Sequence, residues 1–97
     1  MIKHIVWFTL KEENADANAD KAIEMLTALQ GVVPTLNSIE VSKTSLETST
    51  EAIGFILQTT HDTPEGLHEY NVHPAHQECV AFIKQVVTSR RAIDYVI

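Results

Sequence analysis

From Ile2 to Leu10 the chain runs almost unbroken through β-branched, aromatic and long aliphatic side chains, with His4, Val6, Phe8 and Leu10 on one face and Lys3, Ile5, Trp7 and Thr9 on the other. Period-two alternation predicts a strand, and two largely apolar faces predict one covered on both sides. The segment from Asn14 to Asp20 supplies capping side chains and acids suited to the positive end of a helix dipole. Ala22, Ile23, Leu26 and Leu29 then recur every three to four positions until Gly31 and Pro34 signal a stop, which predicts a helix over residues 15–30. Residues 38–44 alternate, with Ile39 and Val41 against Glu40 and Ser42, as a half-buried strand does. Residues 45–51 are polar and predict a loop, and residues 52–60 predict a third strand in which Gly54 marks a bulge or a close approach.

Asp62-Thr63-Pro64-Glu65 has the form of a helix start, a capping side chain followed by proline. The helix it opens is interrupted at Pro74, because proline donates no backbone N–H and restricts the residue before it. A longer helix is expected over residues 74–89, with Val80, Ile83, Val86 and Val87 as its apolar stripe and Arg90 and Arg91 complementing the negative end of its dipole. Residues 92–97 alternate as a last strand. The order β-α-β-β-α-β is the split pattern of the ferredoxin-like α+β class, in one domain spanning residues 1–97. Such a sheet carries helices on one face only, so the apolar second face of the first strand needs a cover. The economical cover is a second copy of the chain, packed sheet to sheet about a two-fold axis to close an α/β barrel.

Composition narrows the partners. The chain has 97 residues, 44% of them hydrophobic, which fits a small folded domain and excludes a disordered one. Thirteen acids against seven bases give a net charge of −6, so neither nucleic acid nor an anionic membrane is expected as a partner. Cys79 is the only cysteine, which leaves no intrachain disulfide and makes the cytoplasm the expected compartment. No stretch has the form of a secretory leader or approaches the roughly 20 apolar residues of a membrane helix.

The chemistry concentrates in His68-Glu69-Tyr70-Asn71-Val72-His73-Pro74-Ala75-His76-Gln77, where three of the five histidines fall within nine residues at the helix break. Histidine moves protons near neutral pH, and tyrosine can donate to a developing oxyanion. Tyr70 and His76 are therefore candidate catalytic residues for a carbonyl substrate, with His73 beside them in the ligand-binding set. The same residues also admit a structural reading: Tyr70 packed under the helix, His73 capping the next one, His76 bonded to a backbone carbonyl. A metal held by His73 and His76 with His61, His68 or His4 lacks paired cysteines and any His-Glu-x-x-His pattern, so no metal is expected. Cys79 reads as a small apolar side chain within the helix. His4 either projects into the same cavity as His76 or sits against a helix.

These motifs resemble those of the stress-responsive dimeric α/β-barrel (Dabb) family over essentially the whole chain: Ile2-Lys3-His4-Ile5-Val6, Val33-Pro34, Tyr70-x-x-His73-Pro74-Ala75-His76 and Ile93-Asp94-Tyr95. The resemblance implies a ferredoxin-like subunit that dimerises through its sheet. It also implies a parallel with the plant polyketide cyclases of the family, in which the residue matching His76 removes a proton α to a carbonyl and the one matching Tyr70 holds the substrate, without metal or cofactor. His4, Ile23, Leu26, Phe55 and Leu57 would then line a cavity between sheet and helices that takes an apolar or aromatic carbonyl compound. Where many members begin the third strand with Tyr-Asp-His, this chain has Ile53-Gly54-Phe55, a ring in place of a polar group. That departure keeps open the alternative of a non-catalytic, stress-associated dimeric module that binds a ligand or serves structurally. A heme or monooxygenase role follows only from fold analogy with other dimeric ferredoxin-like barrels.

Overall fold

Seven elements make up the chain, β1 (Ile2–Leu10), α1 (Ala15–Thr27), β2 (Ser38–Ser42), β3 (Phe55–His61), α2 (Pro64–Val72), α3 (Pro74–Val86) and β4 (Val87–Val96), in a computed structural model that describes residues 1–97. The strands form one antiparallel sheet in the order β2-β3-β1-β4, so the first strand is central and the last is an edge. This is the ferredoxin-like arrangement, with the helices on a single face.

Alternation decides which side chains meet them. Ile2, His4, Val6 and Phe8 of β1 and Phe55, Leu57, Thr59 and His61 of β3 all point into the core. They meet Ala19, Ala22 and Leu26 of α1, Leu67 and Tyr70 of α2, and Cys79 and Ile83 of α3. Phe8 and Phe55 stack with ring centroids 4.6 Å apart. The opposite face has no helix over it and presents Ile5 and Trp7 beside Ile56 of β3 and Arg91, Ile93 and Tyr95 of β4.

Local chemistry sets the boundaries. Asn14 starts α1 from a left-handed conformation, φ 55°, which asparagine tolerates better than most residues. Gly31 adopts φ 84° where the chain turns back after α1. Thr63 caps α2 by accepting from the Gly66 N–H at 3.0 Å, with Pro64 at the first helical position. His73 ends α2 in an extended conformation and caps α3 through Nδ1, which accepts from the Ala75 N–H at 3.1 Å. Gly54 makes the close approach anticipated from its place in an apolar run: its N–H donates to the Phe8 carbonyl at 2.6 Å.

Several boundaries differ from the sequence pattern: α1 ends at Thr27, three residues before the expected 30, and β2 at Ser42, two before the expected 44, while the larger shifts fall at β3 and β4. The third strand starts at Phe55, three residues later, because residues 52–54 belong to the turn that brings Gly54 against β1. The last strand starts at Val87, five residues earlier, and α3 stops at Val86. The run Val86-Val87-Thr88 is β-branched, and β1 offers it a pairing edge that outweighs one more helical turn. Arg90 and Arg91 therefore lie in β4, not at a helix end: Arg90 is paired with Phe8 on the helix-facing side, Arg91 with Trp7 on the open side.

Candidate functional site

A cavity of ≈ 370 Å³ opens between the sheet and α3. Its apolar wall comes from Val6 and Phe8 of β1, Leu57 of β3, Leu26 of α1, and Val80 and Ile83 of α3. Its polar wall comes from the helix break, Tyr70 and Asn71 of α2 and His76 and Gln77 of α3, together with His4 from the middle of β1. Lys84, Val87 and Arg90 complete the lining.

The break at Pro74 turns the chain so that the end of α2 and the start of α3 present Tyr70 and His76 to one space. Their ring centroids are 4.4 Å apart, and Tyr70 also lies 5.0 Å from the His61 ring and 6.3 Å from that of His4. Tyr70 is fully buried, and its hydroxyl has no hydrogen-bond partner within the chain. Burial pushes that phenol well above its ordinary range, with the Cys79 thiol adding to the effect, so Tyr70 remains a neutral donor.

His76 Nδ1 is 3.0 Å from the Asn71 carbonyl. A carbonyl only accepts, so this bond places the ring proton on Nδ1 and leaves Nε2 as the basic nitrogen. Burial lowers the pKa of His76, opposed by the bond to Asn71 and reinforced by His4, Arg90 and His73. The side chain is therefore neutral, and able to accept a proton, at physiological pH. Gln77 donates to the same carbonyl at 2.5 Å, fixing the acceptor from a second side.

His4 and Asp94 face each other across the β1–β4 ladder, and His4 Nδ1 donates to the carboxylate. His61 serves the interior instead. Its Nδ1–H donates to the Thr35 carbonyl at 2.8 Å, and its Nε2 accepts from the Thr59 hydroxyl at 2.9 Å. Both nitrogens are used, and burial lowers its pKa. Cys79 is buried with its Sγ directed to the Ala75 carbonyl, and burial raises its pKa. No group of three or more His, Cys, Asp or Glu side chains is arranged to hold a metal ion.

Of the residues singled out in the sequence, His4, Leu26, Leu57, Tyr70 and His76 share the cavity wall. Ile23, Phe55 and His73 are placed outside it. Phe55 is sealed beneath Phe8, and the His73 ring is engaged at the start of α3. Asn71, Lys84, Arg90 and the His4 partner Asp94 were not singled out as site residues. Asn71 acts through its carbonyl, which leaves no mark in the sequence. Arg90 and Asp94 needed the true start of β4 and its register before their face could be assigned.

A two-layer ferredoxin-like subunit with a cavity between sheet and helices defines the class. The chain belongs to the stress responsive A/B barrel domain (Dabb) family, which it matches over residues 2–97. Among solved structures it is similar to a dimeric protein of unknown function with a ferredoxin-like fold from Bacteroides fragilis (TM-score 0.88, 24% identity, 99% of this chain and 95% of that one). A dimeric ferredoxin-like protein of unknown function from Thermobifida fusca is similar as well (TM-score 0.85, 22% identity, 99% and 90%). So is a hydroxynitrile lyase from Passiflora edulis (TM-score 0.84, 17% identity, 99% and 92%). At these identities the likeness speaks for the fold alone. No curated protein matches the sequence significantly. No helix is long and apolar enough to cross a membrane.

Proposed function

We propose that this protein is a homodimer that binds a small carbonyl compound between sheet and helices and acts on it by acid–base chemistry. In this reading His76 Nε2 removes a proton α to the carbonyl, and the Tyr70 hydroxyl donates to the oxygen on which negative charge develops. The observation that carries it is Tyr70, a residue of the cavity wall whose buried hydroxyl has no partner, beside a histidine whose tautomer is fixed. An unmet buried hydroxyl costs about 1–3 kcal/mol, which a ligand oxygen at that position would recover. His4, held by Asp94, adds a further polar group to the wall and orients the ligand.

The dimer reading rests on the open sheet face. Ile5, Trp7, Ile56, Ile93 and Tyr95 form an apolar patch across three adjacent strands, and two such patches brought together would bury one another. The relatives from Bacteroides fragilis and Thermobifida fusca are described as dimeric. With its only thiol buried and unpaired, the protein suits a reducing, cytoplasmic setting.

Deuterium uptake at the α-carbon of simple aryl ketones, followed by NMR, tests the chemistry. The wild type should accelerate exchange, and His76→Ala should lose about 100-fold or more of that acceleration. A second reading, a non-catalytic dimeric module that binds a ligand, is favoured by the complete burial of Tyr70. Saturable ketone binding without any acceleration would decide for that reading and against catalysis.

A further inference from the structure

We propose that the cavity selects ionised carboxylic acids, with the carboxylate of an apolar-bodied ligand lying against Lys84 and Arg90. The proposal rests on the cavity being the ligand site and names the class of compound it takes. The chain has thirteen acids and only seven bases, yet the cavity lining holds two of those bases and no aspartate or glutamate. The bias at the cavity is opposite to that of the molecule.

Neither cation is committed elsewhere. The ion pairs of the chain are His4 with Asp94 and Lys43 with Asp16 and Asp20, so Lys84 and Arg90 have no anionic partner. Asp94 is the acid that shares the helix-facing side of β4 with Arg90, and it is engaged by His4. The two cations come from different elements. Lys84 stands in the last turn of α3 and Arg90 opposite Phe8 on β4, so both converge on the same cavity. Arg90 is also one of the smaller influences that lower the His76 pKa, after burial and His4.

The wall thus has three zones with different chemistry. Val6, Leu26, Leu57, Val80 and Ile83 suit a ring or short chain, Tyr70 and His76 suit a carbonyl or hydroxyl, and Lys84 with Arg90 suits an anion. A guanidinium presents parallel N–H groups that match the two oxygens of a carboxylate. Both cations are exposed at the mouth, so solvent limits the gain. A preference of about tenfold for an acid over a neutral analogue is the appropriate scale.

Calorimetric titration with 3-phenylpropanoate and 3-phenylpropanamide, which share a body and differ in charge, tests this directly. The wild type should bind the acid about tenfold more tightly at low salt, with the difference shrinking at high salt. The double variant Lys84→Gln, Arg90→Gln should bind the amide as the wild type does and lose the preference. Equal affinities in the wild type, or a preference that survives in the double variant, overturn carboxylate selection and leave the cavity standing as a binding site. Failure of both probes to bind overturns the cavity reading along with it.

Discussion

Tyr70 and His76 hold their ring centroids 4.4 Å apart at a tilt of 44°, although one belongs to the end of α2 and the other to the start of α3. A continuous helix would place residues six apart on different sides of its axis. The interruption at His73-Pro74 brings both to one wall. It is set locally, by the missing N–H of Pro74 and by the His73 ring capping the Ala75 N–H.

Tyr70→Phe keeps the ring and deletes an oxygen that has no partner. Stability should hold or rise by about 1 kcal/mol, read as an unchanged or higher urea midpoint, while ketone exchange falls. A clearly lower midpoint would mean that the hydroxyl is bonded in solution and that its role is structural.

Acid should destabilise the fold through His61 and His76. Burial lowers both pKa values, so both rings are neutral when folded, whereas in the unfolded chain they take up protons below about pH 6.5. The unfolded state then binds more protons, so stability is complete above that pH and declines as the pH falls toward the lowered folded values, by at most about 1.4 kcal/mol per pH unit for each histidine. Thermal melts between about pH 5 and 7.5 should show the slope. His61→Gln and His76→Gln should each flatten it, and a slope unchanged in both would place its origin elsewhere.

Gly54→Ala puts a methyl group where Leu10 already stands, since a Cβ at this position would lie 2.6 Å from Leu10 Cγ. The neighbouring N–H bond to Phe8 keeps the backbone from moving away. A loss of about 1–3 kcal/mol is expected, with partial rescue when Leu10→Ala is added. Additive losses in the double variant would show that the strain is relieved by some other shift.

Trp7→Glu places a charge at the centre of the open sheet face, where Trp7 is flanked by Ile56 and Arg91. Sedimentation should show the wild type at twice the 10.8 kDa subunit mass and the variant near that mass, with circular dichroism retained. A wild type that sediments as a single subunit would remove the dimer from the proposal.

Most of the fold was legible because its signals are local. Alternation marked β1 and β2, Thr63-Pro64 and His73-Pro74 marked both later helix starts, and the two apolar faces of β1 marked the uncovered side of the sheet. The start of β4 was not legible, because Val86-Val87-Thr88 suits either a helix stripe or a strand and only pairing with β1 decides. The cavity inherits the same limit. Tyr70 and His76 stood out as residue types beside a proline, whereas Arg90 and Asp94 acquire their direction from a register shared with residues far away in the chain. Phe55 illustrates the converse: its alternation placed it inward, but the stacked ring of Phe8 closes over it before the cavity begins.

No residue separates α3 from β4, since Val86 ends one and Val87 begins the other, while the Lys11 N–H clasps the Val86 carbonyl at 2.9 Å. That end of the chamber is thereby joined to the sheet by the chain itself and by a hydrogen bond, so the backbone at the junction sets the spacing between Lys84 and Arg90, which flank it on helix and strand.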